Sequence, residues 1–215
     1  MFVPAPPIPA AAPLAPVGIS SAAPTTLTKP VHTTLTVRSA QLNVLEGSSA
    51  SVAGSLVDVH RSGLSGRVVF LQTLGNRGWN TVTHARTNAR GRFRMNYAPG
   101  RLGSQMLRLR FAGDTRDQAT RHRLGTMNVY RLAGASWYGG GGSMACGGQL
   151  TSSTLGVANK TLPCGALVTL HYNGRTVRVP VVDRGPYVAG REFDLTEATK
   201  YALGFGDTGN VWSTR

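Results

Sequence analysis

The sequence predicts an all-β protein in two folded units, with one or two short helices. Three observations carry that expectation. Twenty-seven glycines and 12 prolines fall between short runs rich in Val, Thr, Leu and aromatics, a pattern of strands and turns. In 105–111, QMLRLRF, leucine and arginine alternate, so a strand puts the leucines on one face and the arginines on the other. In 167–183, LVTLHYNGRTVRVPVVD, two alternating runs meet at Asn173-Gly174, the strongest short-range hairpin signal.

The chain opens with MFVPAPPIPAAAPLAPVGISSAAPTTLTKP, which has no acid and no base before Lys29. Residues 1–32 read as an extended Pro/Ala-rich spacer, or as the remnant of a signal peptide whose positive n-region is missing. Residues 33–131 hold seven short runs, at 33–39, 49–59, 66–74, 80–87, 91–99, 105–111 and 124–131. Turn signals such as GNRG (75–78), NARG (88–91) and PGRLG (99–103) separate them. Seven strands in about a hundred residues predict an antiparallel β-sandwich. Residues 134–215 form the second unit. There the glycine cluster 139–142, after Trp137 and Tyr138, reads as a flexible loop. The segment 196–203 reads as a short helix that Thr196 caps and Gly204 ends.

Charge separates the two units. The net charge is +14. Residues 35–132 carry fifteen Arg against four acids, whereas 134–215 carry seven Lys or Arg against five acids. The excess on the first unit suggests a polyanionic partner, such as anionic cell-wall polymers. No helix-turn-helix, zinc-finger or RNA-binding signature accompanies it, so no specific nucleic acid is implied. No apolar run approaches the roughly 18 residues of a membrane span. His60, His84 and His122 are scattered and read as surface residues. No metal-ligand spacing or cofactor motif appears. Cys146 and Cys164 flank a turn-rich stretch. The pair reads as a disulfide in an exported protein, the other reading being two buried thiols in a cytosolic one.

In this acid-poor chain, residues 181–196, VVDRGPYVAGREFDLT, place Asp183 and Asp194 eleven positions apart. Aspartates so placed either hold turns or do chemistry. Asp183 suits the start of the turn made by Arg184, Gly185 and Pro186, and Asp194 suits the amides ahead of the helix. Asp183 also follows the apolar run VPVV, a setting in which a carboxyl can be kept protonated. Arg184, if it pointed the same way, would oppose that.

SWYG, TLGVANKTLPCG, VVDRGPY and GREFDLT, then a helix ending in ALG, together resemble the rare lipoprotein A (RlpA) family across residues 134–215. The resemblance implies a six-stranded double-psi β-barrel, a fold shared with expansins and barwin-like proteins. It implies lytic cleavage of peptidoglycan glycan strands outside the cytoplasm, with Asp183 as catalytic acid and base. It matches Asp194 to the aspartate that expansin-type barrels need. TLPCG is similar to the actinobacterial branch, which implies a Cys146–Cys164 disulfide across the barrel. Tyr138, Asn159, Arg184 and Tyr187 are the candidate sugar-binding residues. Residues 78–114 resemble bacterial Ig-like repeats, which implies a spacer or adhesive module without catalytic residues.

The chain also departs from the family. Where active members carry Glu in a Ser-Gly-Glu segment, it reads Cys146-Gly147-Gly148; a family Asp is Thr151, and a family His is Asn159. A lytic transglycosylase tolerates such losses better than a hydrolase does. The substrate's own 6-hydroxyl attacks the anomeric carbon, so one carboxyl can donate and then accept the proton. The alternative is a non-catalytic, expansin-like module that binds or loosens the wall.

Overall fold

The computed structural model describes residues 1–2 and 29–215. Most of the expected spacer, 1–32, lies outside the described residues. The strands are β1 (Thr33–Gln41), β2 (Asn43–Leu45), β3 (Ala50–Asp58), β4 (Val68–Gly75), β5 (Gly78–Arg86), β6 (Arg92–Tyr97), β7 (Gly103–Phe111) and β8 (Thr120–Tyr138). After them come β9 (Val157–Ala158), β10 (Leu167–Tyr172), β11 (Arg175–Asp183), β12 (Phe193–Thr196), the helix α1 (Glu197–Leu203) and β13 (Thr208–Ser213). No helix among the described residues is long and apolar enough to cross a membrane.

The first half stacks two sheets. One runs β1-β3-β6; the other runs β5-β4-β7-β8, with β2 added in parallel on β8. Alternation decides which faces meet. Leu107, Leu109 and Phe111 of β7 are buried while Arg108 and Arg110 face outward, and Phe93 and Met95 of β6 are buried in alternation with exposed Arg92, Arg94 and Asn96. From the two sheets these side chains join Val52, Leu56, Val69, Leu71, Met127 and Val129 in one core. At about 25 cal/mol per Å2 of buried apolar surface, this burial is the main force closing the sheets on each other. The three-residue β2 was not among the seven expected strands. It is too short to show a period, and its pairing depends on a partner some eighty residues away.

The second half is a closed barrel. Its ring runs β8-β13-β10-β11-β9-β12 and returns to β8. Two of the pairings, β12 with β8 and β11 with β9, are parallel. The six strands are those of a double-psi β-barrel around a second core of Ala135, Val157, Val168, Leu170, Val179, Val181, Phe193, Leu195, Leu203 and Val211. The hairpin turns as expected, with Asn173 and Gly174 both at positive φ (45° and 79°), as a type I′ turn requires.

Strand β8 belongs to both halves. Its first part pairs with β7, and Arg131–Ser136 pairs with β13. No turn interrupts it between residues 131 and 134. At this junction His171 is half-buried between Tyr130 and Trp212, with ring centroids 5.6 Å and 5.1 Å away.

Helix α1 also corrects one expectation. Gly204 ends it in the left-handed conformation (φ 64°), but the Thr196 side chain does not cap it. Thr196 is fully buried, and its Oγ1 bonds to Gly156 and Thr199. The hydroxyl has gone to a buried loop backbone, which it satisfies together with the Thr199 hydroxyl.

Candidate functional site

Strand register assembles the site. Asp183 on β11 and Asp194 on β12 both pair with Ala158 on β9, and Asp194 also pairs with Ser136 on β8. The row therefore reads Asp183, Ala158, Asp194, Ser136. Residues level with one another across paired strands share a face. Val157, Phe193, Leu195 and Ala135 point into the barrel core, so their neighbours in this row point out of it. The carboxylates stand two strands apart, about 9–10 Å between backbones, with only a methyl group on the floor between them.

Asp183 reaches this face through a bulge. Val181 pairs with Val157, but the next pairing is Asp183 with Ala158, so Val182 is the extra residue. Without it, Asp183 would follow Val181 into the core by simple alternation. Bulges commonly re-aim a side chain beside an active site. Gly156 leaves the room: a Cβ there would lie 2.5 Å from Val182 Cγ2.

The two carboxylates are held differently. Asp183 Oδ1 accepts the backbone N–H groups of Ala145 and Arg184, each at 2.8 Å; Oδ2 has no hydrogen bond among the described residues. Asp194 Oδ1 accepts the Ser136 hydroxyl at 2.6 Å. Tyr138 follows Ser136 by two residues on the same face. Its hydroxyl oxygen is buried and makes no hydrogen bond among the described residues. Burial, then the nearby Asp183 and Asp194 carboxylates, push its ionisation up, so it stays a neutral O–H donor. The Asp183 carboxylate beside it is the acceptor nearest to hand for this buried donor.

The other candidates take other places. Arg184 turns away from Asp183. It donates to the carbonyls of Asn159 and Leu162 (3.0 and 2.9 Å) and reaches Cys164 Sγ at 3.1 Å. Asn159 is buried, and its amide is spent within the protein, accepting from Thr161 and Leu162 N–H and donating to the Glu192 carbonyl. Offering either group to a sugar would break this loop, so both act as scaffolding here. Tyr187, by contrast, is 81% exposed just beyond the Asp183 turn, free to stack on a ring. Trp137 points the other way from Tyr138, donating to Asp207 at 3.0 Å beneath Lys200.

The loop from 139 to 156 covers one end of the row. Cys146 is joined to Cys164 by a disulfide, and Cys146 N–H donates to the Val182 carbonyl at 3.2 Å. This pins Ala145 where it can donate to Asp183. Gly148 in this loop has φ +84°, a conformation that a side chain would resist. Composition could not show the Ser136–Asp194 contact or the bulge, because both depend on register.

Comparison with known proteins bears on the same region. Residues 132–212 match the double-psi β-barrel family model described as lytic transglycolase. The chain is 45% identical over 75 residues to a probable endolytic peptidoglycan transglycosylase RlpA of Aquifex aeolicus, covering 33% of each. It is 36% identical over 98 residues to the endolytic peptidoglycan transglycosylase RlpA of Pseudomonas aeruginosa, covering 43% of this chain and 29% of that one. The chain thus spans a third or less of the length of these two relatives. Among solved structures, a Streptomyces papain inhibitor aligns with a TM-score of 0.33 and 28% identity, over 39% of this chain and 90% of that one.

Proposed function

Because residues 132–212 belong to the RlpA-like double-psi β-barrel family, we propose that the protein is a cell-wall enzyme acting outside the cytoplasm, which cleaves peptidoglycan glycan strands as a lytic transglycosylase. The observation that carries this is the row Asp183–Ala158–Asp194, which places two carboxylates on one face of the barrel. Two half-buried acids on one face, separated by a small floor, suit a long polymer lying across the strands.

In the proposed reaction, Asp183 Oδ2 carries the proton. It donates to the bridging oxygen as the glycosidic bond breaks. The substrate's 6-hydroxyl oxygen attacks the anomeric carbon and gives its proton back to Oδ2, leaving a 1,6-anhydro end and a regenerated acid. No water is consumed. The Ala145 and Arg184 amides fix the other oxygen, so the reacting one is pre-aimed. Asp194, oriented by Ser136, faces the positive charge developing on the ring. Tyr187 stacks on a neighbouring ring. The sandwich, read as Ig-like, serves as an adhesive or spacing module.

The glycine at 148 and the amide-bound Asp183 Oδ1 favour a second reading, an expansin-like module that grips glycan without cutting it. Mass spectrometry of peptide-free glycan strands after incubation separates the two. Cleavage gives 1,6-anhydro ends that disappear with Asp183→Asn. Binding alone gives sedimentation with sacculi and no new ends, and that result would remove the enzymatic reading.

A further inference from the structure

The sheet face opposite the core of β7 and β8 carries a feature that neither folding nor glycan cleavage explains. Arg108 pairs directly with Arg123, and Arg110 with Arg121. These are two like-charge pairs on alternate rungs of the same two strands, neighbours on one face. Like charges directly opposite each other destabilise a sheet. No acid offsets them: the ion pairs among the described residues involve Arg67, Arg131 and Lys200. Asp114 and Asp117, the nearby acids in sequence, are both occupied by Arg67.

We propose that Arg108, Arg110, Arg121 and Arg123 form a docking face for a phosphodiester-bearing glycopolymer of the cell envelope, which supplies the counter-charge that the fold lacks. The envelope location rests on the cell-wall function proposed above; the polyanion site is independent of the cleavage chemistry.

One member of the cluster is held in place. Arg108 Nε donates to Gln72 Oε1 at 2.8 Å, and its guanidinium lies 4.1 Å from the centre of the Trp79 ring. Arg110, Arg121 and Arg123 make no side-chain hydrogen bond among the described residues, so their forks are free for bidentate contacts with phosphate. Burial, then the fields of Arg121, Arg110 and Arg123, push the Arg108 pKa down. The four charges therefore sense one another. Nucleic acid is the less fitting polyanion. Single strands need open aromatic faces for their bases, and Trp79 is already covered by Arg108. Duplex readers insert a helix or ribbon into a groove, and this face is the flat side of a sheet.

The test measures binding of the full chain to purified poly(glycerol phosphate) across a salt series. Duplex DNA at equal phosphate concentration serves as the comparator. Arg110→Gln/Arg121→Gln is compared with Arg38→Gln/Arg94→Gln, a pair on the other sheet that removes the same charge. The first variant is expected to bind the polymer about tenfold more weakly, with a salt slope shallower by about 1.4. Without polymer it should melt at a higher temperature, because a repulsive pair is gone. The control should bind like the wild type, and DNA should bind more weakly than the polymer. Equal losses in both variants, a lower melting temperature for Arg110→Gln/Arg121→Gln, or DNA bound as tightly as the polymer would each overturn the proposal. Glycan cleavage, assayed separately, should be unchanged in both variants, so failure here leaves the catalytic proposal standing, and the reverse also holds.

Discussion

Removing the disulfide is the perturbation whose size follows most directly from the structure. Cys146 and Cys164 are 18 residues apart. Releasing a loop of that length returns chain entropy to the unfolded state worth about 3 kcal/mol at 25 °C. The chain shares β8 between its two halves, so it should melt as a unit, and Tm should fall by about 6–12 °C. The bond also has a local duty. It holds the loop whose Ala145 N–H donates to Asp183 and whose Cys146 N–H donates to Val182. Cys146→Ala/Cys164→Ala should therefore lose glycan-cleaving activity even well below its own Tm. The assay is calorimetry of the variant and of the wild type with and without reductant, alongside cleavage at 20 °C. Reduced wild type should match the variant. A Tm change under about 2 °C, or full activity in a destabilised variant, would refute the idea that this bond positions the loop on Asp183.

Other outcomes follow from the same site. Gly156→Ala puts a methyl group 2.5 Å from Val182 Cγ2; it should cost about 1–3 kcal/mol and lower cleavage by displacing the bulge that aims Asp183. Adding Val182→Ala should recover much of both losses, as denaturant unfolding and product counting would show. Tyr138, whose ionisation is pushed up by burial and two carboxylates, should stay a neutral phenol above its ordinary value near 10. The folded state then holds this proton more tightly than the unfolded one, so the contribution is complete below about pH 10 and is lost as the pH rises beyond it. An ultraviolet difference titration against Tyr138→Phe checks this, and ionisation at the ordinary value would contradict it.

Much of this fold was legible because local rules and the global fold agree. Leu107 and Leu109 alternate with arginines and are buried accordingly. Asn173-Gly174 is a dipeptide that suits its turn. What escaped depended on distant partners. Thr196 looked like a helix cap, but a buried Gly156 backbone 40 residues away took its hydroxyl. Arg184 looked like a threat to Asp183, but the carbonyls of Asn159 and Leu162 drew it off. Asn159 has the composition of a sugar ligand, yet its amide closes its own loop. Asp183 and Asp194 could be nominated from sequence, but their common partner Ala158 is a matter of register, and register is set by pairings that no window of the sequence contains.

The central claim is that glycan lies across Asp183, Ala158 and Asp194. The most direct measurement is carboxyl-carbon NMR of the full chain, titrated with peptide-free glycan strands in the Ser136→Ala and wild-type forms. The side-chain carbons of Asp183 and Asp194 should shift together and saturably, those of Asp114 and Asp207 should stay still, and Ser136→Ala should weaken the Asp194 response. Shifts confined to other acids, with Asp183 unmoved at saturation, would contradict it.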